Sequence, residues 1–310
     1  MPCVSVVIPT YNHIAYVLET LASVFAQNFC DYEVIVINDG SPDRTHELLQ
    51  PLVQQKRIRY FEQANAGQSV ARNRGIAEAH GEFIAFLDDD DLWPPDKLQW
   101  QVAAARKNPD AAMVWGALQV FGERNGDLWP HECDAPSGEV LNQFLRRNWI
   151  QSPGQTLIPG AMLRRVGGLD SVLWGADDWD LYIRLARLGP FVYQHRLALK
   201  YRAHADNASK NYWRLYRNAR RVLHKHLGLL PRPGNIEIWN ECRRFVQDFS
   251  ADDAIRAAYR FADEARWGDS RRAWMHAWWI RPGLRKYRRY LRRIASSFTQ
   301  GRVPQVRRSI

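Results

Sequence analysis

The first two hundred residues alternate short apolar runs with longer segments of helical periodicity. Val4-Ser5-Val6-Val7-Ile8 is a continuous run, stopped by Pro9. Between Tyr16 and Gln27, Val17, Leu21, Val24 and Phe25 recur on one helical face. A second run, Val34-Ile35-Val36-Ile37, ends in Asn38-Asp39-Gly40-Ser41. Ser41-Pro42 then predicts a helix start, with Ser as N-cap and Pro at the first helical position. That helix turns Leu48, Leu49, Leu52 and Val53 to a core. Arg57 to Phe61 alternates as a third strand, and Gly67 to His80 reads as a helix ended by Gly81. The fourth run, Phe83-Ile84-Ala85-Phe86-Leu87, leads straight into Asp88-Asp89-Asp90-Asp91. Short runs of β-branched and aromatic residues bounded by turn residues are buried strands. Their alternation with helices predicts an α/β fold with a doubly wound, mostly parallel sheet. Ligands of such sheets bind beyond the carboxyl ends of the strands, so Thr10 to His13, Asn38 to Ser41 and Asp88 to Asp91 are expected on one rim.

The pattern continues less regularly. A helix is predicted from Trp93 to about Lys107, and Ala112–Trp115 with Leu118–Phe121 form a strand region. Gly122 to Gly138 is loop-like, and Leu157 to Leu163 reads as a strand broken at Pro159-Gly160. A second acidic cluster, Asp177-Asp178-Trp179-Asp180, opens a helix, and two short strands at Val192-Tyr193 and Leu197–Arg202 lead to His204. Beyond about Ser209 the composition shifts. The expected division is a domain over 1–208 and a basic, Trp-rich, α-helical region over 209–310. Pro231-Arg232-Pro233-Gly234 breaks that region, and Ala254 to Pro282 reads as a helical pair turning at Gly268.

Composition adds partners to this outline. Hydrophobic residues make up 46% of 310, enough for a large core, and the formal net charge of +10 favours an anionic partner. Cys3, Cys30, Cys133 and Cys242 are too scattered for a zinc site or a disulfide framework, which points to a reducing compartment. No leader pattern and no apolar stretch of roughly 18 residues is visible, so a cytoplasmic location is expected. Residues 270–310 hold twelve Arg or Lys and no Asp or Glu. Arg285 to Phe298 reads as a basic amphipathic helix, suited either to an anionic membrane surface or to packing on its own domain. No groove-reading motif is present, so no nucleic acid partner is expected.

Four successive carboxylates repel one another unless something positive neutralises them. Carboxylate oxygens suit hard divalent cations, which usually arrive with substrate phosphates. A solvated turn capping the next helix is the plainer alternative. Asp177 and Asp178 could likewise do no more than complement a helix dipole.

Taken in order, five segments resemble the family 2 glycosyltransferases, which are inverting enzymes of GT-A fold. They are Val4–Asn12, Val34–Ser41, Asn65–Asn73, Gly81–Asp91 and Asp177–Asp180, spread over about two-thirds of the chain. The resemblance implies that Pro9, Thr10 and Tyr11 line the nucleotide base and that Asp39 bonds base or ribose. It implies that Arg72 reaches the donor phosphates. Asp88-Asp89-Asp90 matches the DxD motif, with Asp90 the principal ligand of Mn²⁺ or Mg²⁺ and Asp88 and Asp89 nearer the ribose or metal waters. Because Asp91 follows, the motif has a one-residue ambiguity of register. Asp178 matches the general base of an acidic dyad, with Asp177 where the family usually has Glu. His204 falls where some members place a further metal or phosphate contact. The implied enzyme moves a sugar from a nucleotide-sugar donor, expected to be a UDP-sugar, to a hydroxyl of a glycan or lipid-linked acceptor. Cell-envelope polysaccharide synthesis, peripheral on the inner membrane face, is the expected setting. A nucleotidyltransferase would instead show a Gly-rich phosphate loop where Pro9-Thr10-Tyr11-Asn12 stands. A non-catalytic scaffold would have no use for Asp39, Asp90 and Asp178 together.

Overall fold

The computed structural model of the chain describes residues 1–122, 129, 135–204 and 211–282. Strand and helix alternate as β1 (Val4–Thr10), α1 (Val17–Phe25), β2 (Tyr32–Asn38), α2 (Thr45–Gln54), β3 (Arg59–Glu62), α3 (Gln68–Glu78), β4 (Phe83–Phe86), α4 (Lys97–Lys107) and β5 (Met113–Gly122). There follow α5 (Leu141–Arg146), β6 (Thr156–Pro159), α6 (Gly160–Val166), α7 (Asp177–Leu185) and β7 (Phe191–Ala203). The chain then turns to helices only: α8 (Tyr212–Leu227), α9 (Ile236–Asp263) and α10 (Trp267–Ile280).

The strands form one sheet in the order β3-β2-β1-β4-β6-β5-β7. Pairing is parallel except at β6, which runs antiparallel to β4 and β5. Alternate side chains of each strand feed opposite faces. Val7, Ile35, Ile37, Ile84 and Phe86 join the core under α3, α6 and α7. Val6, Ile8, Val34, Val36 and Ala85 join the core under α1 and α4. The first of these cores runs on into α8 and α9 through Tyr216, Val222, Leu223, Trp239, Cys242 and Val246. At Gly75, α3 lies so close to β1 that a side chain there would run into Val7.

Several expectations give way to local physics. Pro9 lies inside β1, buried and opposite Ile37, rather than ending the strand. Its missing N–H would face β4, as the carbonyl of Val7 does, but β4 ends at Phe86 opposite Val7, so no ladder bond is lost. Ser41 does not cap α2. Its Oγ accepts from the Asn12 N–H at 3.0 Å, while Asp43 accepts from the Thr45 N–H at 3.1 Å where the helix begins. Ala161-Met162-Leu163 lies in α6, because after Pro159 the burial of Leu163 follows a helical face. The paired short strands expected on either side of residues 116 and 195 are each one long strand. The ladder jumps from Gly116–Gln194 to Ala117–Leu197, so His195 and Arg196 bulge out and break the apolar pattern. The turn between α9 and α10 falls at Glu264–Arg266, with Ala265 at φ 58, not at Gly268. The basic helix expected over Arg285–Phe298 lies outside the described residues.

Candidate active site

The four carboxylates after β4 have four different sets of partners. Asp88 accepts from Gln68 Nε2 at 2.9 Å and is paired with Arg72, both on α3. Asp89 turns to the loop after β1, accepting from the Tyr11 N–H at 3.2 Å and contacting His13 Nδ1 at 2.7 Å. Asp90 meets His204 Nε2 at 2.8 Å, just past β7. Asp91 is fully buried and accepts from the Arg202 N–H at 2.8 Å, while its own carbonyl accepts from Thr20 Oγ1 at 2.8 Å. Asp91 therefore does not begin the next helix, which starts six residues later at Lys97. It ties the acidic loop to β7, and Asp88-Asp89-Asp90 is left as the group facing the rim.

α3 connects this loop to the second acidic cluster. Its Gln68, Ser69 and Arg72 point to the acidic clusters rather than to water. Arg72, 3% exposed, joins Asp88 on one side and lies 3.9 Å from Asp177 on the other. Ser69 donates to Asp177 at 2.7 Å, and Asn73 holds the backbone of Leu169 through paired bonds of 2.8 Å. Asp177 also accepts from the Gly175 N–H at 2.9 Å. The two acidic clusters, nearly ninety residues apart in the chain, thus share one guanidinium. Asp178 is only partly exposed and accepts from the Trp179 N–H at 2.6 Å, one of the free donors of the α7 N-terminus.

Burial and mutual repulsion set the charges. Burial, with the Asp88 and Asp89 charges, pushes Asp90 up to about 6 despite its bond to His204. Burial, with neighbouring Asp177, pushes Asp178 up to about 7, against the pull of the Trp179 N–H and Arg72. Asp91 is raised well above the usual range, first by burial and then by Asp90. Burial works against the Arg72 charge, yet Asp88 and Asp177 outweigh it and hold its pKa above the ordinary value.

The other predicted residues are placed as follows. Asp39 is buried at the end of β2. It accepts from Gln63 Nε2 at 2.7 Å and from the Ala66 and Gly67 N–H groups at 2.9 and 2.8 Å, bracing the entry to α3. Thr10 Oγ1 is buried with no hydrogen-bond partner, and Tyr11 is 44% exposed at the rim. Pro9 is a strand residue behind them. Residues that sequence reasoning missed include His13, Gln68, Ser69 and Arg202. Gln68 and Ser69 stand inside a motif segment and His13 on a predicted rim loop, yet only its partner across the chain gives each of the four a role.

Asp90 and His204, in direct contact at 2.8 Å, bring a carboxylate oxygen and an imidazole nitrogen together. Among the described residues no group of three His, Cys, Asp or Glu side chains could hold an ion unaided. Two protein donors are what Mn²⁺ or Mg²⁺ needs when phosphate oxygens and waters complete its shell, so the residues present fit such an ion.

The sequence profile of glycosyl transferase family 2 matches residues 5–173. An uncharacterised glycosyltransferase of Rickettsia felis is 30% identical over 215 residues, covering 67% of this chain and 35% of that protein. One of Nostoc sp. is 43% identical over 214 residues, covering 66% of each chain. The chain thus spans about a third of the Rickettsia protein it matches. Among solved structures, S. aureus TarS 1-349 in complex with UDP-GlcNAc superposes with a TM-score of 0.60 at 16% identity, over 96% of this chain and 92% of that one. The mannosyltransferase PcManGT of Pyrobaculum calidifontis, in complex with GDP-Man and Mn²⁺, also gives 0.60 at 16% identity, over 97% and 81%.

Proposed function

The chain belongs to glycosyl transferase family 2 and is a glycosyltransferase of GT-A fold, and on that premise we propose an inverting, metal-dependent transfer from a nucleotide-diphosphate sugar to a hydroxyl acceptor. The observation that carries this reading is the shared guanidinium of Arg72, which draws the Asp88–Asp90 loop and the Asp177–Asp178 dyad to one place. In this reading Thr10 and Tyr11 take the nucleotide base, and Asp39 holds the loop beside the ribose. Arg72 turns to the donor diphosphate, for which its planar donors are suited. A divalent ion at Asp90 and His204 would take up the charge that grows on the departing nucleoside diphosphate. Asp178 removes the acceptor proton at a carboxylate oxygen, and the freed oxygen attacks the anomeric carbon opposite the leaving group. A value near 7 suits that task, because the base is available near neutrality and still basic enough to accept a proton. Asp177 is held by Ser69 and the Gly175 N–H, and it fixes the turn that carries Asp178.

A UDP-sugar is the donor in this proposal, in line with the UDP-GlcNAc bound by TarS, while PcManGT binds GDP-Man. The acceptor is a glycan or lipid-linked hydroxyl used in envelope polysaccharide synthesis at the inner membrane face. Among the described residues no helix is long and apolar enough to cross a membrane.

The test is a thermal-shift and transfer assay of nucleotide sugars with and without Mn²⁺. Nucleotide binding should require the metal, and one base should give the largest shift. Asp178→Asn should keep the shift and lower transfer on the order of 10³-fold, while wild-type turnover should fall as pH drops below about 7. Full turnover in the variant would remove Asp178 from the base role.

A further inference from the structure

α10 buries Ser270, Ala273, Trp274, Ala277 and Ile280. At 3.6 residues per turn, Arg271, Arg272, Met275, Trp278 and Trp279 share the opposite face, within an arc of about 120°. Met275, Trp278 and Trp279 are 62%, 59% and 56% exposed. Three large apolar side chains together at one helix end are not the scattered exposure ordinary surfaces show. Their chemistry narrows the occupant. Trp combines a broad apolar ring with one N–H donor and favours the boundary between hydrocarbon and water. The two arginines on the same face suit anionic headgroups. Residues 270–310 carry twelve Arg or Lys and no acid, so this end of the chain has a single sign of charge. A second copy docked about a twofold axis would set that charge against itself.

The face is also joined to the chemistry. The Trp279 ring rests against Trp213 and Tyr216 of α8, with centroids 5.7 and 6.1 Å away. Trp213 in turn stacks on His276 at 4.1 Å. The next residue, Arg214, lies 4.0 Å over the Trp174 ring, three residues before Asp177. Gly175, at φ 79, lets Leu215 of α8 approach where any side chain would collide. From the exposed tryptophans to the dyad turn the path is therefore α10, the start of α8, then Trp174.

We propose that this face of α10 docks on an anionic lipid surface and thereby presents a lipid-carried acceptor beside Asp178. The docking stands on α10; the presentation rests on the transferase reading above. Apolar insertion supplies the anchoring, and the arginines supply the preference for negative lipid.

The experiment uses the full chain in co-sedimentation with vesicles of neutral phosphatidylcholine, or with about three-tenths phosphatidylglycerol added, at moderate salt. Partition to the anionic vesicles should exceed that to neutral ones by roughly tenfold or more. The double variant Met275→Ser, Trp278→Ser should lose roughly tenfold in partition, with melting temperature and donor turnover in solution unchanged. Trp278→Phe, which keeps an aromatic ring, should stay within about threefold of the wild type. Wild-type protein that ignores anionic vesicles, or a double variant that binds as well as the wild type, overturns the docking. So does sedimentation velocity in which the wild type is a dimer and the double variant a monomer. Donor turnover without vesicles reads the chemistry separately. Its absence beside intact vesicle binding would remove the transferase reading and leave the docking in place.

Discussion

At the scale of single residues, Asp90 is the most exacting side chain of the rim. It is buried beside Asp88 and Asp89, and its folded-state value of about 6 lies above that of an unfolded aspartate near 3.9. The folded state therefore binds this proton more tightly than the unfolded one. The stabilisation is complete below about pH 4 and is lost as pH rises through 6. At pH 8, without metal, the ionised group is a net cost. Asp90→Asn should raise the melting temperature there by a few degrees, on the order of 2 kcal/mol, and should leave it unchanged near pH 4. Scanning fluorimetry across pH checks this, and added Mn²⁺ with donor should reverse the order of the two proteins. The place of Asp88 and Asp90 beyond the end of β4 was legible in the sequence, since carboxylates directly after an apolar run stand at a strand's end, and Asp178 was legible as an acid in the first turn of a helix. What Asp91 does was not legible. Its partner is the Arg202 N–H, 111 positions away, and no local pattern announces it.

At the scale of elements, α3 decides the geometry. Its sequence, Gln68-Ser69-Val70-Ala71-Arg72-Asn73, looks like an ordinary polar helix face and carries little apolar periodicity. The structure turns that polar face inward, to Asp88, Asp177 and Leu169. Removing the charge of Arg72 leaves Asp88 and Asp177 uncompensated at a nearly closed site. Arg72→Gln should cost about 3 kcal/mol or more, seen as a lower denaturation midpoint. It should also abolish transfer, even where the variant stays folded. A variant as stable as the wild type would mean that water already neutralises the pair. The strands themselves were readable because β-branched runs have one use in a mixed chain. The bulge at His195–Arg196 and the helix at Gly160–Val166 were not, because both depend on what the neighbouring strand leaves unpaired.

At the scale of the molecule, the composition change near residue 209 marks the end of the sheet, while the apolar core crosses it. Trp179 of α7 meets Phe245 of α9 edge to face at 5.8 Å, Arg146 of α5 pairs with Glu241, and Cys242 and Val246 share the cluster with Phe144 and Leu181. Sheet and helices should therefore unfold together. Calorimetry should give a single transition, coincident with loss of the near-ultraviolet signal of the tryptophans. Two separated transitions would show that the helical part stands alone. Charge and Trp content were legible in this region's sequence, but which face of α10 is left exposed depends on which side is packed in the fold.

The bonds from Arg202 and His204 to Asp91 and Asp90 also bear on how the protein is made. The acidic loop emerges from the ribosome more than a hundred residues before the strand that secures it. Until β7 arrives, two carboxylates have no place to be buried, and closing the loop around them is unfavourable. A copy that stops before β7 lacks the partners that hold Asp91 and Asp90 in place.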